Sequence, residues 1–306
     1  MIKIVISGLF YPVTMMEWFI RAFKRRGDVE LITIGPFFGD WIPWGFGMRL
    51  PQKYVHPPDI PLPQSMAQFP GVPSVLQNFL PWFPDLWLQI DAGWHLSSRP
   101  SAGIVGLVET DPHVLKASYK VPKAYSDRVW CMQTPYIEEG EIYLPYAYDP
   151  TVHFPEERDK IYDACLIGLH YETRTRLVER LKSRGLNVYY SLGDIYDEYR
   201  EKYNQSKVAL SWSSLLDLPA RNWEALAMRL PLVCNHVPDM SRFFENGVHY
   251  LGFSTLEEAE GQVLRLLTDD DFRECIAQAG YRKVSEDGKH TWDARVSQIL
   301  KDCELI

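Results

Sequence analysis

Arg221 and Glu224 stand three residues apart in the stretch LPARNWEALAMRLPLVCN, residues 218–235. At that spacing on a helix a guanidinium and a carboxylate are neighbours, so one reading is a surface ion pair. The other reading is a ligand that carries both negative charge and hydroxyl groups, because a guanidinium forks onto an anion and a carboxylate accepts from hydroxyls. The apolar run LPLVCN follows directly, so the couple sits at the mouth of an otherwise buried element. A second group lies in ETDPH, where Asp111 and His113 follow the apolar run AGIVGLV and therefore emerge at a strand end. Either side chain can take a proton from a hydroxyl. Asp111 followed by Pro112 is equally an ordinary helix start, an N-cap with proline at the first helical position.

The elements that must position these residues follow a β-α alternation. KIVIS reads as a first strand, VTMMEWFIRAFKRRG as a helix with Met15, Met16, Phe19, Ile20 and Phe23 on one face, and VELITIG as a second strand. That β-α-β unit implies a parallel sheet with a right-handed crossover. Gly8 ends the first strand, at the edge where a doubly wound sheet opens its ligand crevice. Residues 35–84 are crowded with Pro, Gly and aromatics, which excludes long regular elements but supplies enough ring surface for an ordered excursion. Its tryptophans, Trp41, Trp44, Trp82 and Trp87, either pack in the core or stack on a ligand.

LPYAYDPTVHFPEERDK, around residues 145–160, has no periodicity and reads as a linker. Beyond it strands at IYDACLIG, LNVYYSLG, KVALSW, LPLVCN and HYLGF alternate with helices at ETRTRLVERLKSRG, IYDEYREKYNQS and RNWEALAMR. The expected organisation is an N-terminal Rossmann-like domain over 1–152, a C-terminal one over 153–289, and a last helix over 290–306.

Composition narrows the function classes. The chain has 306 residues, a net charge of −8 and 46% hydrophobic residues. No apolar run reaches the roughly 18 residues of a membrane span, and MIKIVISG lacks the apolar length of a signal peptide. The five cysteines include no CxxC pair, and Cys165 and Cys234 lie in apolar runs as buried, reduced thiols. A cytoplasmic protein without a structural metal is expected. The acidic balance argues against nucleic acid as the main partner.

The C-terminal half resembles the group-1 glycosyltransferases, and most closely their spore-maturation-protein-like (CgeB-type) branch. The residues that carry the resemblance are DACLIG ending at Gly168 with Arg174 following, RNWEALAMRLPLV, FFENGVHYLGF, EEAEGQVLRLLTDDDFRECIAQAG and HTWDAR. TDPH and LPYAYDP carry it more loosely in the N-terminal half. The resemblance implies the GT-B fold, with two Rossmann-like doubly wound β/α domains facing across a cleft. It also implies transfer of a sugar from a nucleotide-diphosphate-sugar donor to an acceptor hydroxyl.

On that reading Glu224 accepts from the ribose hydroxyls, while Arg221, Arg174 and a helix N-terminus meet the diphosphate beside Gly168. Many retaining members carry two Glu separated by seven residues, with Glu224 matching the second. Here Leu216 stands in the place of the first, beside Asp217. Ser213 and Ser214, at the end of KVALSW, are alternative hydroxyl contacts or plain turn residues. Asn235 and His236 lie in the loop on the donor side. Asp111 and His113 are the catalytic candidates, with Gly8, Trp41 and Trp44 on the acceptor side. No metal and no further cofactor is expected, since no ligand spacing points to one. A nucleotide-sugar epimerase, a degenerate GT-B binding protein and a modified nucleic-acid base as acceptor are the alternatives. In the resembling family the last helix often crosses back to the N-terminal domain.

Overall fold

A computed structural model describes residues 1–42, 48–91, 93–213 and 215–306. Two compact units result, Met1–Pro145 with Trp292–Ile306, and Tyr146–Thr291. Trp44 and Ser214 lie outside the described residues.

The first unit opens with β1 (Ile2–Ser7), α1 (Met16–Lys24) and β2 (Val29–Pro36). Ile4, Val5 and Ile6 are all fully buried, the continuous apolar signature of a strand covered on both faces. Met16, Phe19, Ile20 and Phe23 form the buried stripe of α1. The helix begins at Met16 and not at Val13, because the segment after β1 is tied to β2 as a loop. Phe10 donates its N–H to the Pro36 carbonyl (2.9 Å), and Phe38 donates to the Phe10 carbonyl (3.0 Å). Gly35 permits this approach, since a Cβ there would lie 1.9 Å from the Gly8 carbonyl oxygen.

The Pro-rich excursion contains β3 (Trp41–Ile42) paired antiparallel with β4 (Met48–Arg49), then β5 (Ile60–Leu62) and α2 (Pro73–Leu76). Two indoles tie this part of the chain to the rest of the unit, while Phe69, Phe79 and Phe83 are exposed. Trp82 donates to Glu30 Oε1 (2.7 Å) and Trp94 to the Phe69 carbonyl (2.8 Å). Trp87 lies in β6 (Leu86–Ile90) and is fully buried, with its indole N–H on Ser7 Oγ (2.8 Å). Trp41 is half-buried, 5.9 Å from the Arg49 guanidinium.

β7 (Ile104–Glu109), α3 (Pro112–Leu115), α4 (Lys120–Tyr125), β8 (Arg128–Cys131) and β9 (Ile142–Tyr143) complete a parallel sheet of order β5-β2-β1-β6-β7-β8-β9. The chain passes from β1 to β2 on one side and later returns to β6 on the other, which places a topological switch point between β1 and β6.

The second unit comprises β10 (Tyr162–Ile167), α5 (Glu172–Ser183), β11 (Val188–Ser191), α6 (Asp197–Asn204), β12 (Ser206–Ser211), α7 (Ala220–Ala227), β13 (Leu232–Asn235), α8 (Met240–Phe243), β14 (Leu251–Phe253), α9 (Leu256–Thr268) and α10 (Asp270–Ser285). Its sheet is parallel, in the order β11-β10-β12-β13-β14. Leu177, Val178 and Leu181 of α5 and Ala259, Val263 and Leu266 of α9 bury against Leu166, Leu210 and Val233 of the sheet. The switch point falls between β10 and β12. Cys165 and Cys234 are buried in this sheet as free thiols.

The division between the units falls after Pro145, not after residue 152, because the intervening segment is fixed to the second unit. Tyr148 donates its N–H to the His290 carbonyl (3.1 Å), and Arg200 of α6 donates to the Val152 carbonyl (3.1 Å). The last helix, α11 (Trp292–Asp302), belongs to the first unit. Trp292, Val296, Ile299 and Leu300 are fully buried, with the Trp292 ring 5.0 Å from Phe19. Arg295 donates to the Pro145 carbonyl (2.7 Å), and Trp130 donates to Asp302 Oδ2 (2.7 Å).

Candidate functional site

The loops that follow β10 and β12 flank the switch point of the second unit, and the residues singled out from the sequence gather there. Gly168, the first residue after β10, has φ +144°. A Cβ on it would lie 2.2 Å from Arg221 Nη2 and 3.6 Å from Arg174 Nη1, so two guanidiniums converge on one point of bare backbone. Arg221 donates Nε–H to the Ile167 carbonyl (2.9 Å). Arg174, buried in α5, donates Nε–H to the Trp212 carbonyl (2.7 Å) and Nη1–H to the Leu169 carbonyl (2.9 Å). These partners are neutral carbonyls, and neither arginine is in an ion pair among the described residues. Arg221 Nη1 is enclosed with no hydrogen-bond partner. Burial and, after it, the charge of Arg221 push Arg174 down to about 10. For Arg221 burial works against the charge, but Tyr203, Tyr199 and Glu224 outweigh it and hold its pKa above the usual value. Arg221 also lies in the first turn of α7, where the helix dipole adds positive character.

The surface-pair reading of Arg221 and Glu224 fails, because the two side chains bond elsewhere. Glu224 is 8% exposed. Its Oε2 accepts from the Tyr199 hydroxyl (2.6 Å), and its Oε1 faces His153 Nε2 at 3.7 Å. The Tyr199 hydroxyl is held well above its usual pKa, first by burial and then by the Glu224 charge, and so remains a donor. Tyr199 and His153 were not singled out from the sequence. A tyrosine in a charged helix and a histidine in a linker carry no local signal, and the fold alone brings them to Glu224.

The Ser213 hydroxyl is engaged with its own loop, where its acceptors are Asp217 Oδ1 and the Asp217 carbonyl (both 2.6 Å). Asn235 Oδ1 accepts from Ser213 N–H (2.7 Å), which ties the loop after β12 to the end of β13. Leu216 is 49% exposed. Asp217 beside it is buried and shapes the loop. His236 is exposed, with its ring laid over Gly252 of β14, and it lines a groove with Arg242, Phe243, His249 and Lys283.

In the first unit Asp111 and His113 are half-buried at the carboxyl edge of β7. Asp111 occupies the N-cap position of α3, with Pro112 behind it, but its side chain makes no capping bond. The buried Tyr119 hydroxyl accepts from Asp111 N–H (3.2 Å) and donates to Asp91 Oδ1 (2.8 Å). Asp91, a residue missed in the sequence, ends β6 at φ +65°, a backbone region unusual for a side-chain-bearing residue. Burial first, then Asp91 and Asp111, raise the Tyr11 hydroxyl above its usual pKa, so both carboxylates act on one point of this edge. The His113 ring stands 5.7 Å from Tyr136. Gly8 lies on the neighbouring loop.

Glu109, Cys131 and Glu141 offer ligand atoms that all lie within 4.8 Å of one another. The Lys123 ammonium binds there, 2.9 Å from Glu109, 3.0 Å from Glu138 and in contact with Glu141. Among the described residues no helix is long and apolar enough to cross a membrane.

Residues 159–301 match the family model described as glycosyl transferase-like. No curated protein matches the chain. Among solved structures, sucrose-phosphate synthase from Thermosynechococcus elongatus aligns over 100% of this chain and 99% of its own, at 11% identity and a TM-score of 0.65. An alpha-glucosyltransferase in complex with UDP aligns over 99% and 100%, at 12% identity and a TM-score of 0.67. Anabaena HepE in complex with UDP-glucose aligns over 100% of both chains, at 11% identity and a TM-score of 0.66. At such identities the likeness is one of fold. Residues 159–301 thus match a glycosyl transferase-like family model within a chain of GT-B fold.

Proposed function

We propose that the protein moves a sugar from a nucleoside-diphosphate donor to an acceptor hydroxyl, without a metal ion, and that the second unit binds the donor. One observation carries this reading. Two enclosed guanidiniums, Arg174 and Arg221, converge on Gly168, and among the described residues the hydrogen bonds they donate go to carbonyls. Such a pair selects a group with at least two negative charges, and a diphosphate supplies them. As the donor's C1–O bond breaks, its electron pair passes to the diphosphate, where the two guanidiniums stabilise the new charge. The acceptor oxygen bonds to C1 and its proton goes to a base, for which Asp111 and His113, with Asp91 beside them, are the candidates of the first unit. Glu224 accepts from the ribose hydroxyls. The uncommitted lone pairs of a carboxylate suit that role even with Tyr199 bound.

The order of DACLIG, RNWEALAMRLPLV, FFENGVHYLGF and HTWDAR supports placement in the spore-maturation-protein-like branch. The acceptor is a hydroxyl of unassigned origin. Calorimetry with UDP, GDP, ADP and their sugars tests the reading. Micromolar binding of at least one, with slow sugar release, is expected, and no binding across the panel overturns it.

A further inference from the structure

The segment that leaves the first unit at Pro145 carries His153 eight residues further on, beside Glu224. This histidine is 3% exposed and its ring is fixed from both sides. Asp149 donates its backbone N–H to His153 Nδ1 (3.1 Å). Nδ1 is therefore the acceptor, and the ring proton is on Nε2, the atom that faces Glu224 Oε1. Asp149 is itself fully buried, and its Oδ1 accepts from Thr151 N–H (2.9 Å) and Thr151 Oγ1–H (2.7 Å). The ring packs edge-on against Tyr199, with centroids 5.8 Å apart, and Tyr199 donates to the other oxygen of the same carboxylate. Helix α6 secures the segment once more. Arg200 donates to the Val152 carbonyl (3.1 Å) and Asn204 to the Phe154 carbonyl (3.2 Å). The return segment meets α7, the helix that carries Glu224, since the His290 ring lies 4.9 Å from Trp223.

From this geometry we infer that His153 is a positioning residue of the donor site, which with Tyr199 fixes the plane of the Glu224 carboxylate for the ribose hydroxyls. A carboxylate on a two-bond stem rotates unless its oxygens are held. Here one oxygen is held by a phenol and the other faces an imidazole N–H, so the lone pairs left over point in fixed directions. The connecting segment is thereby part of the donor site, and its conformation and ribose binding are linked. The inference rests on the donor-site reading above and adds a requirement to it, that selectivity for a ribose over a deoxyribose depends on residue 153.

The test compares UDP with 2′-deoxy-UDP and 3′-deoxy-UDP by calorimetry on the full chain. Wild type is expected to bind UDP more tightly than at least one deoxy analogue. His153→Leu is expected to weaken UDP about tenfold and leave that analogue unchanged, so the discrimination disappears. His153→Gln, whose amide can donate from nearly the same place, is expected to restore most of it. Tyr199→Phe, which removes only the hydroxyl, provides an independent variant should His153→Leu not fold, and is expected to show the same selective loss. Equal weakening of UDP and both analogues, or unchanged discrimination in His153→Leu and Tyr199→Phe, overturns the positioning role while leaving the donor site standing. Failure of wild type to bind any nucleoside diphosphate overturns both.

Discussion

Replacing Arg221 by Met separates a strut from a ligand-binding cation. Met keeps most of the aliphatic stem while removing the charge and the bond to the Ile167 carbonyl. Arg174 is lowered from 12.5 to about 10, first by burial and then by its neighbour's charge. At about 1.4 kcal/mol per pH unit this amounts to about 3 kcal/mol against its charged form, of which Arg221 contributes the lesser part. Removing Arg221 relieves that repulsion but also ends its attraction to Tyr203, Tyr199 and Glu224. The lost bond to a carbonyl costs about 1–2 kcal/mol. The relief offsets part of these losses, so the unliganded protein should lose no more than about 3 kcal/mol of stability. Nucleotide binding has no such offset, because a charge-assisted hydrogen bond to a diphosphate is worth about 1.5–3 kcal/mol, or about 10- to 150-fold in affinity. The assay is urea unfolding without ligand alongside calorimetry with UDP. A variant that loses more than about 3 kcal/mol of stability while binding UDP as wild type does would refute the reasoning and make Arg221 a strut.

Other outcomes follow from the same geometry. Burial pushes Glu109 up to about 7, above its ordinary 4.5. The folded chain then binds a proton that the unfolded chain has released between those values, so this group's stabilisation is full below pH 4.5 and lost as pH rises through 7. Glu109→Gln removes that slope and should gain on wild type by up to about 3 kcal/mol between pH 5 and pH 8, and a difference that stays flat with pH in urea titrations would contradict it. Trp292→Ala empties a fully buried site on α11 and should cost about 3–5 kcal/mol, seen as early proteolysis of the first unit; a loss below about 1 kcal/mol would mean that the helix is not part of that core. Sugar transfer should persist in EDTA, because arginines carry the diphosphate, and loss of activity restored by manganese would overturn that expectation.

What could be read from the sequence was local or periodic. Runs such as KIVIS and DACLIG are parallel strands because their apolar residues are continuous, and α1 was legible as a helix because Met16, Phe19, Ile20 and Phe23 recur at helical spacing. The aromatic content of residues 35–84 already required an ordered excursion. Arg221, Glu224, Gly168 and Arg174 could be picked out because they sit in short motifs at strand ends. What each of them touches was decided by the tertiary structure. Spacing pairs Arg221 with Glu224, yet the fold offers Arg221 a carbonyl at the end of β10 and offers Glu224 a phenol from α6 and an imidazole from the linker. Ser213 looks free to meet a ligand in the sequence, but Asp217 captures its hydroxyl once the loop closes. Asp91 carries no motif at all, and only the pairing of β6 between β1 and β7 brings it to Asp111 through Tyr119. The stripe on the last helix shows that one face is buried, and the docking of Trp292 beside Phe19 decides in which unit. The physical reason is the same in each case. Periodicity reports which side of an element leaves water, whereas the partner of a polar side chain is chosen among groups that are distant in sequence and become neighbours only when the sheet order is complete.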